Sequence, residues 1–218
     1  MLRRIIVLAV IATVCGWVHP ADAGNPHAFV PANPETTRAV QYAAMSEEFC
    51  LAELREREVP FERVGPTRGV ETPIRFNGPV HGIRFVQTFR TDLDPKAPAT
   101  ILDCRLALAI DDMAEIMARR GVVELEYLSM YRPGYFRPGV RHPAGRAIDV
   151  ATVLLSDGTR FSVEHDFHGR VGASTCGHAA EPPRRATPGA SFWRDVVCEL
   201  DDLRSYNLIV TPNLDWGH

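Results

Sequence analysis

Four cysteines spread over an exported chain set the first constraint on this fold. Met1 to Arg4 is a short basic start, Ile5 to Val14 is an almost unbroken apolar run, and Ala21-Asp22-Ala23 places small residues where a signal peptidase reads. Residues 1–23 therefore read as a secretory signal peptide, with cleavage expected before Gly24. Cys15 invites a lipid-anchor reading, but Val14 stands before it where a small residue is expected. The apolar run is shorter than the roughly 20 residues that span a bilayer, and no later segment approaches that length. Cys50, Cys104, Cys176 and Cys198 remain, an even count bound for an oxidising compartment, with no C-x-x-C pair of the kind zinc ribbons use. Two disulfides are expected. Three pairings are possible; Cys50 with Cys104 and Cys176 with Cys198 is favoured because each links neighbouring segments. Each bridge would contribute about 3 to 4 kcal/mol by the chain-entropy model. The expected location is secreted or periplasmic.

The mature chain has enough apolar residues to build a core, and its charge excludes a nucleic-acid partner. Of 218 residues 45% are apolar, which excludes disorder. After signal removal 22 basic groups face 26 acidic ones, so there is no basic footprint for DNA. The 16 glycines and 17 prolines imply a generous share of loop.

The periodicity predicts an α+β chain. Residues from about Glu35 to Glu58 lack Gly and Pro and read as one helix ending before Pro60. Short strands such as Ile83 to Phe89 follow. Leu106, Ile110, Met113 and Met117 repeat at helical spacing, with Asp103 as the cap and Gly121 as the stop. Val123, Leu125 and Tyr127 alternate with Glu124 and Glu126, a strand with one wet face. Ala147 to Leu155 and Arg160 to His165 flank Ser156-Asp157-Gly158-Thr159, the turn of a hairpin. Trp193, Val196, Val197, Leu200 and Leu203 form a third helical stripe, residues 169–190 a long loop, and Tyr206 to Thr211 a last strand.

Chemistry concentrates just before that hairpin. His142 and Asp149 are separated by six residues that include Pro143 and Gly145, so the chain turns and then enters an apolar strand carrying an acid. A carboxylate in Ile148-Asp149-Val150-Ala151 is costly unless it is paired or holds a metal. The alternative is an exposed loop histidine with the aspartate satisfied by backbone or by an arginine such as Arg146. Arg132 has its own bland option, a salt bridge to Glu124 or Glu126. His165, Asp166 and His168 could add ligands or be surface groups, while His27, His81 and His178 lie in loops and read as solvated. No nucleophile triad, P-loop or dinucleotide glycine motif stands out.

The run from Arg141 to Val150, an H-x6-D followed by a hydrophobic strand, resembles the metal-ligand segment of the bacterial extensin-like C-terminal domain family. That family is related to the zinc D-Ala-D-Ala carboxypeptidases, the lysostaphin-type endopeptidases and the hedgehog signalling domain. Three further stretches resemble it in the same order: the Cys-bearing helix start at residues 102–109, Ser129-Met130-Tyr131-Arg132-Pro133, and Ile209-Val210-Thr211-Pro212-Asn213. The resemblance spans about residues 45–218.

It implies a small antiparallel sheet with flanking helices, hedgehog-like, stapled by two disulfides. By the same resemblance residues 24–70 form an N-terminal helical extension and residues 71–218 a metallopeptidase-like domain. His142 and Asp149 would be Zn2+ ligands, Arg132 a catalytic cation that holds a substrate carbonyl or oxyanion, and Tyr131 a substrate contact beside it. His218 would be the first histidine of the family's closing H-x-x-H-x-H pattern, with a catalytic role. The later histidines, the third ligand among them, would lie after His218, which reads as a truncated motif or as a lost metal site. The implied activity is that of a secreted zinc peptidase hydrolysing peptide bonds of peptidoglycan. A non-catalytic cell-wall-binding module with a degenerate metal site is the second reading, and a purely structural disulfide-bonded domain the third.

Overall fold

The computed structural model describes residues 33–88, 96–134 and 140–214. The signal segment, His27 and His218 lie outside them. In chain order the elements are α1 (Arg38–Ala44), α2 (Glu47–Glu56), β1 (Phe61–Arg63), β2 (Pro73–Phe76), β3 (Arg84–Gln87), β4 (Leu102–Asp103), α3 (Cys104–Ala118), β5 (Val122–Tyr127), β6 (Val150–Leu155), β7 (Arg160–Ser162), α4 (Val163–Asp166) and α5 (Pro188–Leu203).

The α+β expectation holds. Among the described residues two small sheets form: antiparallel β1-β2-β4, and β3-β5-β6-β7, which is antiparallel except where β3 runs parallel to β5. Helix α3 sits at the centre, packed against α1, α2, α5 and β5. Its expected stripe was too narrow, because Asp111, Asp112 and Arg105 are buried along with Leu106, Ile110, Met113 and Met117. A helix covered on nearly every side belongs to the core rather than to a surface. Tyr42, Leu51 and Leu54, from the segment expected as an extension, share that core with Leu108, Leu125, Trp193 and Val196.

Four local expectations are corrected. The helix expected over Glu35 to Glu58 breaks at Met45, whose backbone is extended, and restarts with Ser46 accepting from the Phe49 N–H. Arg105 holds the break, donating to the Met45 carbonyl from Nη2 at 2.7 Å and from Nε at 3.0 Å. The second hairpin strand stops at Ser162 instead of reaching His165, because the Ser162 hydroxyl accepts the His165 N–H and caps α4. In β5 a bulge at Val123 turns that side chain outward, while Glu124 is buried on the charged face. No strand forms over Tyr206 to Thr211; that backbone is irregular. Just beyond it Asn213 is tied to the long loop, its Oδ1 accepting from Arg170 N at 2.7 Å and its carbonyl from Gly172 N at 2.8 Å.

Both disulfides form with the favoured pairing, Cys50–Cys104 and Cys176–Cys198. They differ in access. Cys50 and Cys104 are fully buried, whereas Cys176 and Cys198 are each partly exposed. Thiol–disulfide exchange needs a thiolate to reach a sulfur. Under mild dithiol treatment of the folded protein, Cys176 and Cys198 are therefore expected to become alkylatable well before the other pair. Peptide mapping of the tagged thiols checks this, and simultaneous release of all four would contradict it. Among the described residues no helix is long and apolar enough to cross a membrane.

Candidate metal centre

After β5 the chain continues alongside the residues that lead into β6. Leu128 N donates to Asp149 O at 2.8 Å, Asp149 N to Ser129 O at 3.2 Å, and Arg132 N to His142 O at 3.3 Å. This ladder sets Ser129 beside Asp149 and Arg132 beside His142. A one-turn 3-10 helix, His142–Ala144, has Pro143 at a position where its missing N–H costs nothing, and Gly145 closes it at φ 63°.

The side chains converge as the H-x6-D reading requires. His142 Nε2 lies 3.1 Å from Asp149 Oδ1. The other carboxylate oxygen, Oδ2, accepts from Arg132 Nη2 at 3.1 Å and from the Ser129 hydroxyl at 3.2 Å. On the far side of the ring, Nδ1 lies 3.3 Å from the Met130 carbonyl oxygen. The His142 side chain is 13% exposed and that of Asp149 30%. Burial pushes the Asp149 carboxyl up, but the hydrogen bond and charge of His142, the charge of Arg132 and the Ser129 hydroxyl outweigh it and hold it below the ordinary value. A depressed folded value means these contacts stabilise the fold fully above the ordinary carboxylate range, and that contribution is lost as pH falls through the lowered value.

Where the ring proton sits decides what this pair can hold. A carbonyl oxygen only accepts, so a proton on Nδ1 is donated to Met130, whereas a proton on Nε2 is donated to Asp149 Oδ1. In the neutral ring protonated at Nδ1, Nε2 is a bare lone pair facing an ionised oxygen at 3.1 Å. Two acceptors at that distance need a shared positive centre, either a proton or a metal ion. Two donors on one tetrahedral zinc stand roughly 3.3 Å apart, so the pair fits a metal as well as a proton. The Nδ1 bond to a carbonyl is also the support that metal-ligating histidines commonly have. Among the described residues no group of three or more His, Cys, Asp and Glu side chains gathers here or elsewhere.

The alternatives weighed for these residues resolve differently. Arg146 does not serve Asp149; its Nη2 donates to Glu71 Oε2 at 2.9 Å and its Nε lies 3.6 Å from Asp103 Oδ1. Arg132 bridges to Asp149, while Glu124 and Glu126 are taken by Arg84 and Arg160. Tyr131 is buried with Val70 and Ile101, and its hydroxyl donates to the Arg68 carbonyl at 3.1 Å. His165 is exposed on α4 with Glu164 4.0 Å from it, and Asp166 accepts from Ser162 N at 2.7 Å. His178 is exposed in its loop.

His81 is exposed, as expected of a solvated loop histidine, but it also has an acidic partner. Its Nε2 lies 2.8 Å from Asp111 Oδ1, at the edge of a buried network that the sequence reading missed. Asp112 accepts there from Arg38 at 2.8 Å, Tyr42 at 2.9 Å, Arg57 at 3.3 Å and the Ser205 hydroxyl. Burial raises the Asp111 carboxyl against the pull of His81 and Arg57. The available signal was Asp111-Asp112 inside an apolar helical run. With four donors on one carboxylate the network is saturated and structural.

Comparison with protein-family models, with curated proteins and with solved structures finds no match for this chain.

Proposed function

We propose that His142 and Asp149 provide two ligands of a Zn2+ site and that the protein is an exported zinc-dependent peptidase-like protein acting on peptide bonds of peptidoglycan. The observation that carries the cation is the 3.1 Å approach of His142 Nε2 to Asp149 Oδ1, with the Met130 carbonyl 3.3 Å from Nδ1 and able to accept its proton. The two disulfides fit an oxidising compartment. The peptide substrate rests on the ordered resemblance of the His142, Arg132 and Cys104 segments to the extensin-like family.

Bound zinc would supply Lewis acidity and lower the pKa of a bound water to about 7. The chain's own residues divide the remaining work. Asp149 is held with Oδ1 toward His142, because Ser129 and Arg132 occupy Oδ2. The Met130 carbonyl, 3.3 Å from Nδ1, would accept the ring proton when Nε2 binds the metal. The Arg132 side chain is 60% exposed, so its guanidinium can meet a substrate carbonyl while keeping its hold on Asp149.

The test is a Co2+ or Zn2+ titration of the full chain, followed by incubation with peptidoglycan stem peptides. One equivalent of metal and metal-dependent release of new amino groups are expected. A protein that takes up no stoichiometric metal would leave the pair bridged by a proton and end this reading; metal uptake without cleavage would favour the cell-wall-binding module.

A further inference from the structure

The long loop between α4 and α5 and the chain that follows α5 hold each other through polar contacts. We propose that the Cys176–Cys198 bridge is a redox-operated latch: through the loop it seats the segment from Thr211 to Leu214, and opening it releases that segment while the core stays folded. The inference is independent of the metal reading.

Asn213 is the hook. It is 2% exposed and each of its polar groups is bonded. Its Oδ1 accepts from Arg170 N at 2.7 Å, its Nδ2 donates to Thr175 Oγ1 at 2.9 Å, its carbonyl accepts from Gly172 N at 2.8 Å and its N–H donates to Thr211 Oγ1 at 3.3 Å. The Thr211 hydroxyl also lies 3.3 Å from that of Thr175. A Cβ on Gly169 would overlap Asn213 Oδ1, so the fit leaves no slack.

Thr175 joins this hook to the bridge. Cys176 follows it directly, and Cys198 Sγ lies 3.6 Å from the Thr175 carbonyl oxygen. Cys198 belongs to α5, whose Trp193, Val196 and Leu200 are core residues, so the bridge fastens the hook to a rigid element. Arg194 of α5 donates to the Glu181 carbonyl at 2.6 Å, which holds the far end of the loop, and Glu181 N donates to Ser174 O at 2.9 Å, which ties the loop to itself. Among the described residues none from 170 to 187 and none from 211 to 214 belongs to the apolar core. Regions with few apolar contacts open at low free energy, so a covalent tie has a large share in keeping this one closed.

The tie is within reach of a reductant. Cys176 and Cys198 are each partly exposed, whereas Cys50 and Cys104 are buried. A dithiol opens the bridge by thiolate attack on one sulfur, which forms a mixed disulfide and expels the other sulfur as a thiolate; the second thiol of the reductant then displaces the first. Two electrons and two protons pass to Cys176 and Cys198, and the dithiol leaves as a disulfide.

The test is amide hydrogen exchange on the full chain, before and after a mild dithiol opens Cys176–Cys198 and the two thiols are alkylated. The reporting amides are those of Arg170 and Gly172, whose acceptors belong to Asn213, and that of Leu214, which donates to Thr211 O at 2.8 Å. They should exchange about 100-fold faster with the bridge open, the order expected on releasing a cross-link of this span. Amides of α3 should keep their rates. Unchanged rates at the three reporters would overturn the proposal. So would an equal rise in α3, which would make the bridge a staple of the whole fold, or release of all four thiols together. An alkyl group adds bulk, so the double variant Cys176→Ser, Cys198→Ser repeats the comparison without one; its failure to fold would also overturn the proposal, because the core is expected to stand without the bridge. In Asn213→Ala, with both bridges intact, Leu214 should already exchange fast and opening the bridge should add little. A further 100-fold rise there would overturn the route through Asn213.

Discussion

His142→Ala is expected to lower Co2+ affinity by more than about 100-fold, beyond the loss usual for an outer-shell support. The substitution removes the nitrogen that stands 3.1 Å from Asp149 Oδ1 and leaves a carboxylate already shared with Arg132 and Ser129. Asp149→Asn should lose as much by another route. It keeps the shape and an acceptor oxygen but deletes the negative charge that a divalent ion requires. Unfolding midpoints should move little in His142→Ala, whose ring makes polar contacts of 3.1 and 3.3 Å at the edge of the core, so calorimetry separates lost binding from lost folding. A titration in which both variants match the parent would remove His142 and Asp149 from any metal site.

Asp112→Ala is expected to destabilise the fold by about 3 to 5 kcal/mol, the range for breaking a buried ionic network from one side. Asp112 is 4% exposed and joins α1 through Arg38 and Tyr42, the end of α2 through Arg57, and the segment after α5 through Ser205. Its loss leaves the buried Tyr42 and Ser205 hydroxyls without this acceptor, while Arg38 and Arg57 keep partial access to water. Glu199→Ala is the matching control. It also loses two arginines, Arg119 and Arg120, but at a more exposed position, where such pairs contribute at most about 1 kcal/mol. Urea unfolding of the two variants measures the difference, and equal midpoints would show that the network does not hold α1 and α2 onto α3.

The His142–Asp149 meeting was legible because two local signals coincide: an acid inside an apolar run, and a Pro-Gly turn that folds the histidine back over it. The Cys50–Cys104 and Cys176–Cys198 pairing was legible for a related reason, since each bridge closes between neighbouring segments. The Met45 break was harder to see. No Gly or Pro marks it, and the guanidinium that holds it comes from Arg105, sixty residues away in the chain. Tyr206 to Thr211 alternates like a strand, yet no strand forms over it. Its neighbours Ser205 and Asn213 are instead drawn to Asp112 and to the loop at Arg170.

By itself the amino-acid order determined the α+β character, the disulfide pairs, the start and stop of α3, the hairpin at Asp157-Gly158, and the approach of an imidazole to a carboxylate. These depend on capping, turn chemistry, periodicity and short chain separation, which act within a few residues or between neighbouring segments. Tertiary structure alone decided that Arg132 grips Asp149, that Nδ1 of His142 faces the Met130 carbonyl, that His81 meets Asp111, and that the Asp103 N–H donates to the Gly145 carbonyl. Each of these is a choice among several chemically equivalent partners. Such choices are made by which backbone atoms the packed helices and strands bring within about 3 Å, the reach of a hydrogen bond.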